Sequence, residues 1–156
     1  MEQTMIAEQR LNVHEKGQNA FKALFAMGGY LMKSALEKPL LELVYFRVSQ
    51  INGCAYCLDM HAKDARAGGE SEQRLYGLSA WRETPYYTKR ESAAFAWAEA
   101  VTKCHVPDSV YQEAIANFTE ADLIDLTFAV TTINTWNRIN IAFPNKPGTY
   151  EVGQFN

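Results

Sequence analysis

The stretch "TEADLIDLTFAVTTINTWNRINIAFP", Thr119 to Pro144, constrains the fold of this chain more than any other. Its apolar residues, Leu123, Leu126, Val130, Ile133 and Trp136, recur at three- and four-residue spacings, and Thr119-x-x-Asp122 supplies an opening cap. A helix that is apolar on most faces must be covered on most faces. The spacing therefore predicts a central helix over roughly 120–142, ended before Pro144. Nothing elsewhere alternates convincingly with period two, so the partners of this helix must be helices too.

Those partners are marked out by proline, glycine and capping residues. Residues 4–34 carry helical patterns, with Phe21, Leu24, Phe25, Leu31 and Met32 at helical spacings and Gly28-Gly29 expected to bend or interrupt the second helix. Pro39 suits the first turn of a helix reaching about Asn52, where Asn52-Gly53 signals a turn. A new helix starts near Cys54 and stops at Gly68-Gly69, and Ser71 can cap a short one through Leu78, followed by a loop at "RETPYY". Thr88 and Glu91 form a capping box ahead of the stripe Ala94, Trp97, Val101 and Cys104, which makes Cys104 a core thiol. "HVPDSVYQEAIANF" adds a short helix. The expectation is an all-α, single-domain bundle of about six to eight helices spanning residues 1–156.

Composition removes several classes of function. A net charge of −3, with no cluster or stripe of Lys and Arg, gives a nucleic acid nothing to hold. The longest apolar stretch, Ala23 to Met32, is about half a bilayer span. The polar, acidic start is not a secretory signal. A cytoplasmic protein is expected, with no membrane and no nucleic-acid partner. Three cysteines are an odd number and too few for a disulfide scaffold.

Two of them, Cys54 and Cys57, stand in "NGCAYCLDMH" with His61 behind. On a helix beginning near Cys54 the three lie at i, i+3 and i+7 and share one face. Such residues can hold a metal, run thiol–disulfide chemistry or fill a core. Structural zinc wants four ligands, and one cysteine pair with one histidine falls short, so no metal and no cofactor is expected. Buried, inert cysteines are common. Glu42 weighs against that reading. It is the one carboxylate in "PLLELVYFRVSQIN", where it serves either a salt bridge to nearby Arg47 or a working site. If Asn52-Gly53 reverses the chain, Glu42 lies about 16 Å before Gly53 and His61 about 12 Å after it, at 1.5 Å per residue. The mismatch is under one turn, so Glu42 can orient His61. His61 in turn stands one turn from Cys57 and can take its proton. The helix dipole favours Cys54 as the attacking thiol and the imidazole favours Cys57; the base carries more weight, because it supplies deprotonation as well as charge.

Glu42, Cys54, Cys57 and His61, written E-x11-C-x-x-C-x3-H, together with the following "ARAGGESEQRL", resemble the alkylhydroperoxidase D-like branch of the carboxymuconolactone decarboxylase family. The match covers about residues 39–80, and "ESAAFAWAEA" and "INTWNR" are similar to one subgroup less specifically. The resemblance implies an all-helical fold assembling as a homotrimer or homohexamer, and a peroxidase that reduces a hydroperoxide substrate. Cys57 would attack the peroxide, Cys54 would resolve the sulfenic acid to a disulfide, and an external thiol or disulfide-reducing partner would restore the pair. Glu42 and His61 would be the proton relay. The decarboxylase side of the family lacks the cysteine pair. One departure is Tyr56, which stands where some peroxidase members have a histidine; tyrosine is no base near neutral pH. Two rival functions share these residues: a thiol–disulfide oxidoreductase acting on protein disulfides, and a non-enzymatic redox-sensing oligomer. His14 and His105 read as surface histidines, and Tyr45, Phe46 and Trp81 as core aromatics that can also wall a site. Asn134 and Asn137, buried on the last helix, need partners, which a subunit interface could supply.

Overall fold

The structure is a computed structural model, and it describes residues 10–155. Among the described residues eight α-helices follow one another: α1 (Val13–Lys16), α2 (Gln18–Leu31), α3 (Lys38–Asn52), α4 (Ala55–Ala67), α5 (Glu72–Gly77), α6 (Lys89–Thr102), α7 (Asp108–Asn117) and α8 (Glu120–Ala142). A 3-10 segment, Leu78–Glu83, follows α5, so part of the expected loop at "RETPYY" is helical. No strand occurs among the described residues, and the fold is all-α as expected. The helical pattern expected over 4–9 lies outside the described residues. No described helix is long and apolar enough to cross a membrane.

The caps are where the sequence puts them. Ser71 accepts from the Arg74 amide, Thr119 from the Asp122 amide, and Thr88 and Glu91 close a reciprocal capping box. Pro39 sits in the first turn of α3, and Gly53, at φ 68°, ends that helix in the left-handed conformation that glycine adopts without steric cost. α8 runs through the middle, packed against α2, α3, α4, α6 and α7. It buries Leu123, Leu126, Ala129, Val130 and Ile133 against Leu43, Val44 and Val48 of α3 and Phe95 of α6.

Three further expectations change. α2 runs through Gly28-Gly29 without interruption to Leu31. A helical glycine costs only about 1 kcal/mol against alanine, and neither glycine has a positive φ. Cys104 is not in the core. α6 ends at Thr102, and Cys104 is exposed with φ 55°. Its amide bonds to the Val101 carbonyl and the His105 amide to the Ala100 carbonyl, a Schellman turn with a cysteine at its left-handed position. The stripe Ala94, Trp97 and Val101 therefore stops one step short.

Asn134 and Asn137 find their partners within the chain. Asn52 Nδ2 donates to Oδ1 of both, 2.9 Å each. Asn137 Nδ2 donates to Ser49 Oγ at 3.0 Å, and Asn134 Nδ2 to Thr102 Oγ1 at 2.9 Å. These bonds tie the C-terminal ends of α3 and α6 to the C-terminal half of α8.

Candidate active site

The site is built by the α3–α4 hairpin. Cys54 is the N-cap of α4, and its sulfur accepts the Cys57 amide at 3.3 Å. The two cysteines are joined as a disulfide with their Cα atoms 5.3 Å apart, which the i, i+3 geometry allows. Both are 1% exposed. At the N-terminus of a helix a thiolate formed on reduction would meet free amide dipoles, which favour negative charge.

His61 stands one turn beyond Cys57 on the same helix and is buried. Its Nδ1 lies 2.9 Å from Glu42 Oε2 across the hairpin. The register expected from the helix rise is therefore realised, and the alternative ion pair is not: Arg47 bonds Glu99 Oε1 at 2.9 Å. The far nitrogen, His61 Nε2, is buried without a hydrogen-bond partner, and no other described side-chain nitrogen or oxygen is in that state. Leaving a buried polar atom unpaired costs about 1–3 kcal/mol.

One aromatic ring stands against the imidazole. The Tyr45 ring stands 5.1 Å from it. Burial first, and the Glu42 charge second, push the Tyr45 phenol well above its ordinary value, so it stays neutral. Tyr56 is buried between the two cysteines in sequence; burial, then the Asp59 charge, raises its phenol too. It offers no base there. Trp81 does not join the site, because its indole N–H donates to Glu99 in the core. His14 and His105 are exposed.

Asp64 and Tyr150 carried no signal strong enough to be singled out from sequence. Asp64 follows His61 by three residues and so shares its face. Glu42, His61 and Asp64 bring ligand-type atoms within 4.8 Å of one another, the one such grouping among the described residues. Those atoms are already engaged, Glu42 with the imidazole and Asp64 with the Tyr150 hydroxyl. Tyr150 comes from the segment after α8, and nothing local in the sequence ties it to α4.

Comparison with known proteins gives the family and the fold. The chain is 40% identical over 141 residues to the uncharacterized protein YdfG of Bacillus subtilis, spanning 88% of this chain and 96% of that one. A crystal structure from Agrobacterium tumefaciens, of a protein of unknown function proposed as the antioxidant-defence protein AhpD, superposes with a TM-score of 0.87 at 39% identity, covering 92% of this chain and 100% of the other. An uncharacterized peroxidase-related protein from Silicibacter superposes with a TM-score of 0.76 at 26% identity, covering 89% of this chain and 75% of the other. The family model for carboxymuconolactone decarboxylase matches residues 18–100, the span that contains Glu42, both paired cysteines and His61. The chain belongs to the carboxymuconolactone decarboxylase family, in its alkylhydroperoxidase D-like branch.

Proposed function

We propose that this protein is a thiol-dependent peroxidase in which Cys57 attacks, Cys54 resolves, and Glu42 and His61 carry the proton. The observation that carries the reading is the unpartnered His61 Nε2, buried one turn from Cys57 while Glu42 holds Nδ1. A nitrogen kept unpaired at that cost is available to a reacting group.

In the reduced protein His61 takes the Cys57 proton. The thiolate sulfur attacks one oxygen of the hydroperoxide, the S–O bond forms and the O–O bond breaks. The departing alkoxide takes the proton from His61 and leaves as alcohol. Cys57 is then a sulfenic acid. The Cys54 sulfur attacks it, the S–S bond forms as the S–O bond breaks, and the displaced hydroxyl leaves as water with the Cys54 thiol proton. The disulfide of this structure corresponds to that oxidised end point. An external dithiol returns both sulfurs to thiols and is itself oxidised, and a reducing, cytoplasmic setting would provide it. Peroxidase-related and antioxidant descriptions among the similar structures support this class of chemistry.

A homotrimer or homohexamer is part of the same reading. Phe25 of α2 and Met32 just after it, with Ile124, Phe128 and Ile141 of α8, face outward as exposed apolar groups, which suit burial between subunits. Light scattering should give three or six subunits; a monomer at micromolar concentration contradicts the assembly.

The chemical test is a single turnover of the reduced protein with an organic hydroperoxide, followed by a sulfenate trap. Cys57→Ser should form no sulfenate, and Cys54→Ser should form one equivalent and stall. Sulfenate at Cys54 in the Cys57→Ser protein would reverse the roles. No sulfenate in any form would leave a thiol–disulfide exchanger instead.

A further inference from the structure

The segment after α8 folds back on α4 and is held there by three side chains of that helix. Asp59 Oδ2 accepts the Gly148 amide at 3.0 Å. Lys63 Nζ, itself paired with Asp59 at 2.9 Å, donates to the Tyr150 carbonyl at 2.9 Å. The Tyr150 hydroxyl donates to the Asp64 carboxylate, 2.8 and 2.9 Å from its two oxygens. Tyr150 is 5% exposed, and its ring stacks with Phe155 at 5.9 Å. Asp59 and Lys63 would be enough to anchor a tail. Asp64 is different, because it reaches the relay.

We propose that Asp64, gripped by Tyr150, is a positioning residue of the His61 relay: a second carboxylate beside the imidazole, held by a tyrosine that the C-terminal segment supplies. The proposal rests on the peroxidase reading for its purpose, but its physical content concerns only the reactivity of the Cys57 thiol. Atoms of Glu42, His61 and Asp64 lie within 4.8 Å of one another. Two carboxylates at that distance repel, and a positive charge on the imidazole beside them relieves the repulsion. Formation of the thiolate–imidazolium pair is thereby favoured.

The charges around Asp64 set the sign of its effect. Glu42 faces it from α3, His61 from its own helix, and Tyr150 from the tail; Lys63 turns instead to the tail carbonyls, and Tyr45 stands against the imidazole. Burial pushes the Asp64 carboxyl above its ordinary value, the Tyr150 hydrogen bond pulls it down, the Glu42 charge raises it and His61 lowers it. Removing the hydroxyl raises it further. Asp64 then becomes neutral at a higher pH and its help to His61 is lost earlier on acidification.

The test is the pH profile of Cys57 alkylation by iodoacetamide in the reduced full-length protein, with the modified residue assigned by fragment mass spectrometry. Asp64→Asn should slow alkylation about three- to tenfold near neutral pH, the low end of what a charge within about 4–6 Å does to a neighbour's ionisation. Asp64→Glu should recover part of the rate. Tyr150→Phe should leave the plateau intact and move the acid limb to higher pH. Melting curves of the same variants read the anchoring role separately. Lower melting temperatures with profiles that superpose on the wild type would overturn the proposal, as would a shift in Asp64→Asn with none in Tyr150→Phe. Alkylation needs no peroxide. Shifted profiles in a protein that reduces no hydroperoxide would sink the peroxidase reading and leave the Asp64 arm standing.

Discussion

Glu99 of α6 and Glu42 of α3 both sit among apolar neighbours on their helices, and their surroundings are opposite. Glu99 accepts from Arg47 Nε at 2.9 Å, Trp81 Nε1 at 2.9 Å and Arg82 at 2.7 Å. Burial pushes its carboxyl up, but these hydrogen bonds outweigh burial and hold it below the ordinary glutamate value. Glu42 has a hydrogen bond to His61, whose other nitrogen has no partner at all. The lesson is that a carboxylate saturated by cations fixes structure, because it has no proton to exchange and no direction in which to pass one. A carboxylate that orients a ring with a free nitrogen leaves a path open. Both sites bury charge; only one leaves a polar atom uncompensated.

The difference can be broken at each end. The largest effect should come from His61→Ala, about 10²–10⁴-fold in single-turnover rate with hydroperoxide, with the urea midpoint changed far less. If rate and stability fell together, His61 would belong with Glu99 as a structural group.

Glu99→Gln should do the reverse. It removes the buried counter-charge of the half-buried Arg47 and should cost about 3 kcal/mol, the low end for breaking a buried ion pair from one side, because Arg82 keeps much of its exposure to water. The rate of Cys57 alkylation should not change. The pH dependence of stability sharpens the point. The folded value of Glu99 is depressed, so its stabilisation is present above the ordinary value of about 4.5 and is lost as pH falls through the lower folded value. The acid limb of the urea midpoint should flatten in Glu99→Gln; an unaltered limb would contradict the depressed carboxyl.

Glu42→Gln is expected to be milder than His61→Ala, about tenfold in rate or ~1.4 kcal/mol, since the amide can still hold the ring without its charge. Equal losses in the two variants would mean that orientation and charge cannot be separated at this site.

The smallest effect tests the third thiol of the chain, the free one. Cys104→Gly should raise stability by about 0.5–1 kcal/mol, because glycine takes the left-handed turn position without a Cβ clash. The peroxide reaction should be unaffected. A slower peroxide reaction would draw Cys104 into the cycle and weaken the assignment of Cys54 as the resolving thiol.

Much of this is legible in the amino-acid sequence. The capping residues Ser71, Thr88 and Thr119 act as read, since a cap depends on a donor two or three residues away. Cys57 and His61 share a face because helical spacing alone dictates it, and Cys54 caps the same helix. Glu42 could be paired with His61 because two helices joined by a tight turn at Gly53 keep register over a few turns at a fixed rise per residue.

Tertiary packing decided the rest. Arg47 lies nearer to Glu42 in sequence, but pairs with Glu99, 52 residues away, because α3 meets α6 on that side. Asn134 and Asn137 bond to Asn52 and Ser49 through the α3–α8 contact and need no second subunit for it. Cys104 continues an apolar period but falls just beyond the last turn of α6, where the backbone turns left-handed and carries its side chain into solvent. Tyr150 reaches Asp64 across 86 residues. Helix periodicity specifies what lies along one helix and across one turn. Which distant face arrives beside it depends on how all the helices share one core, and that order is written in no local spacing.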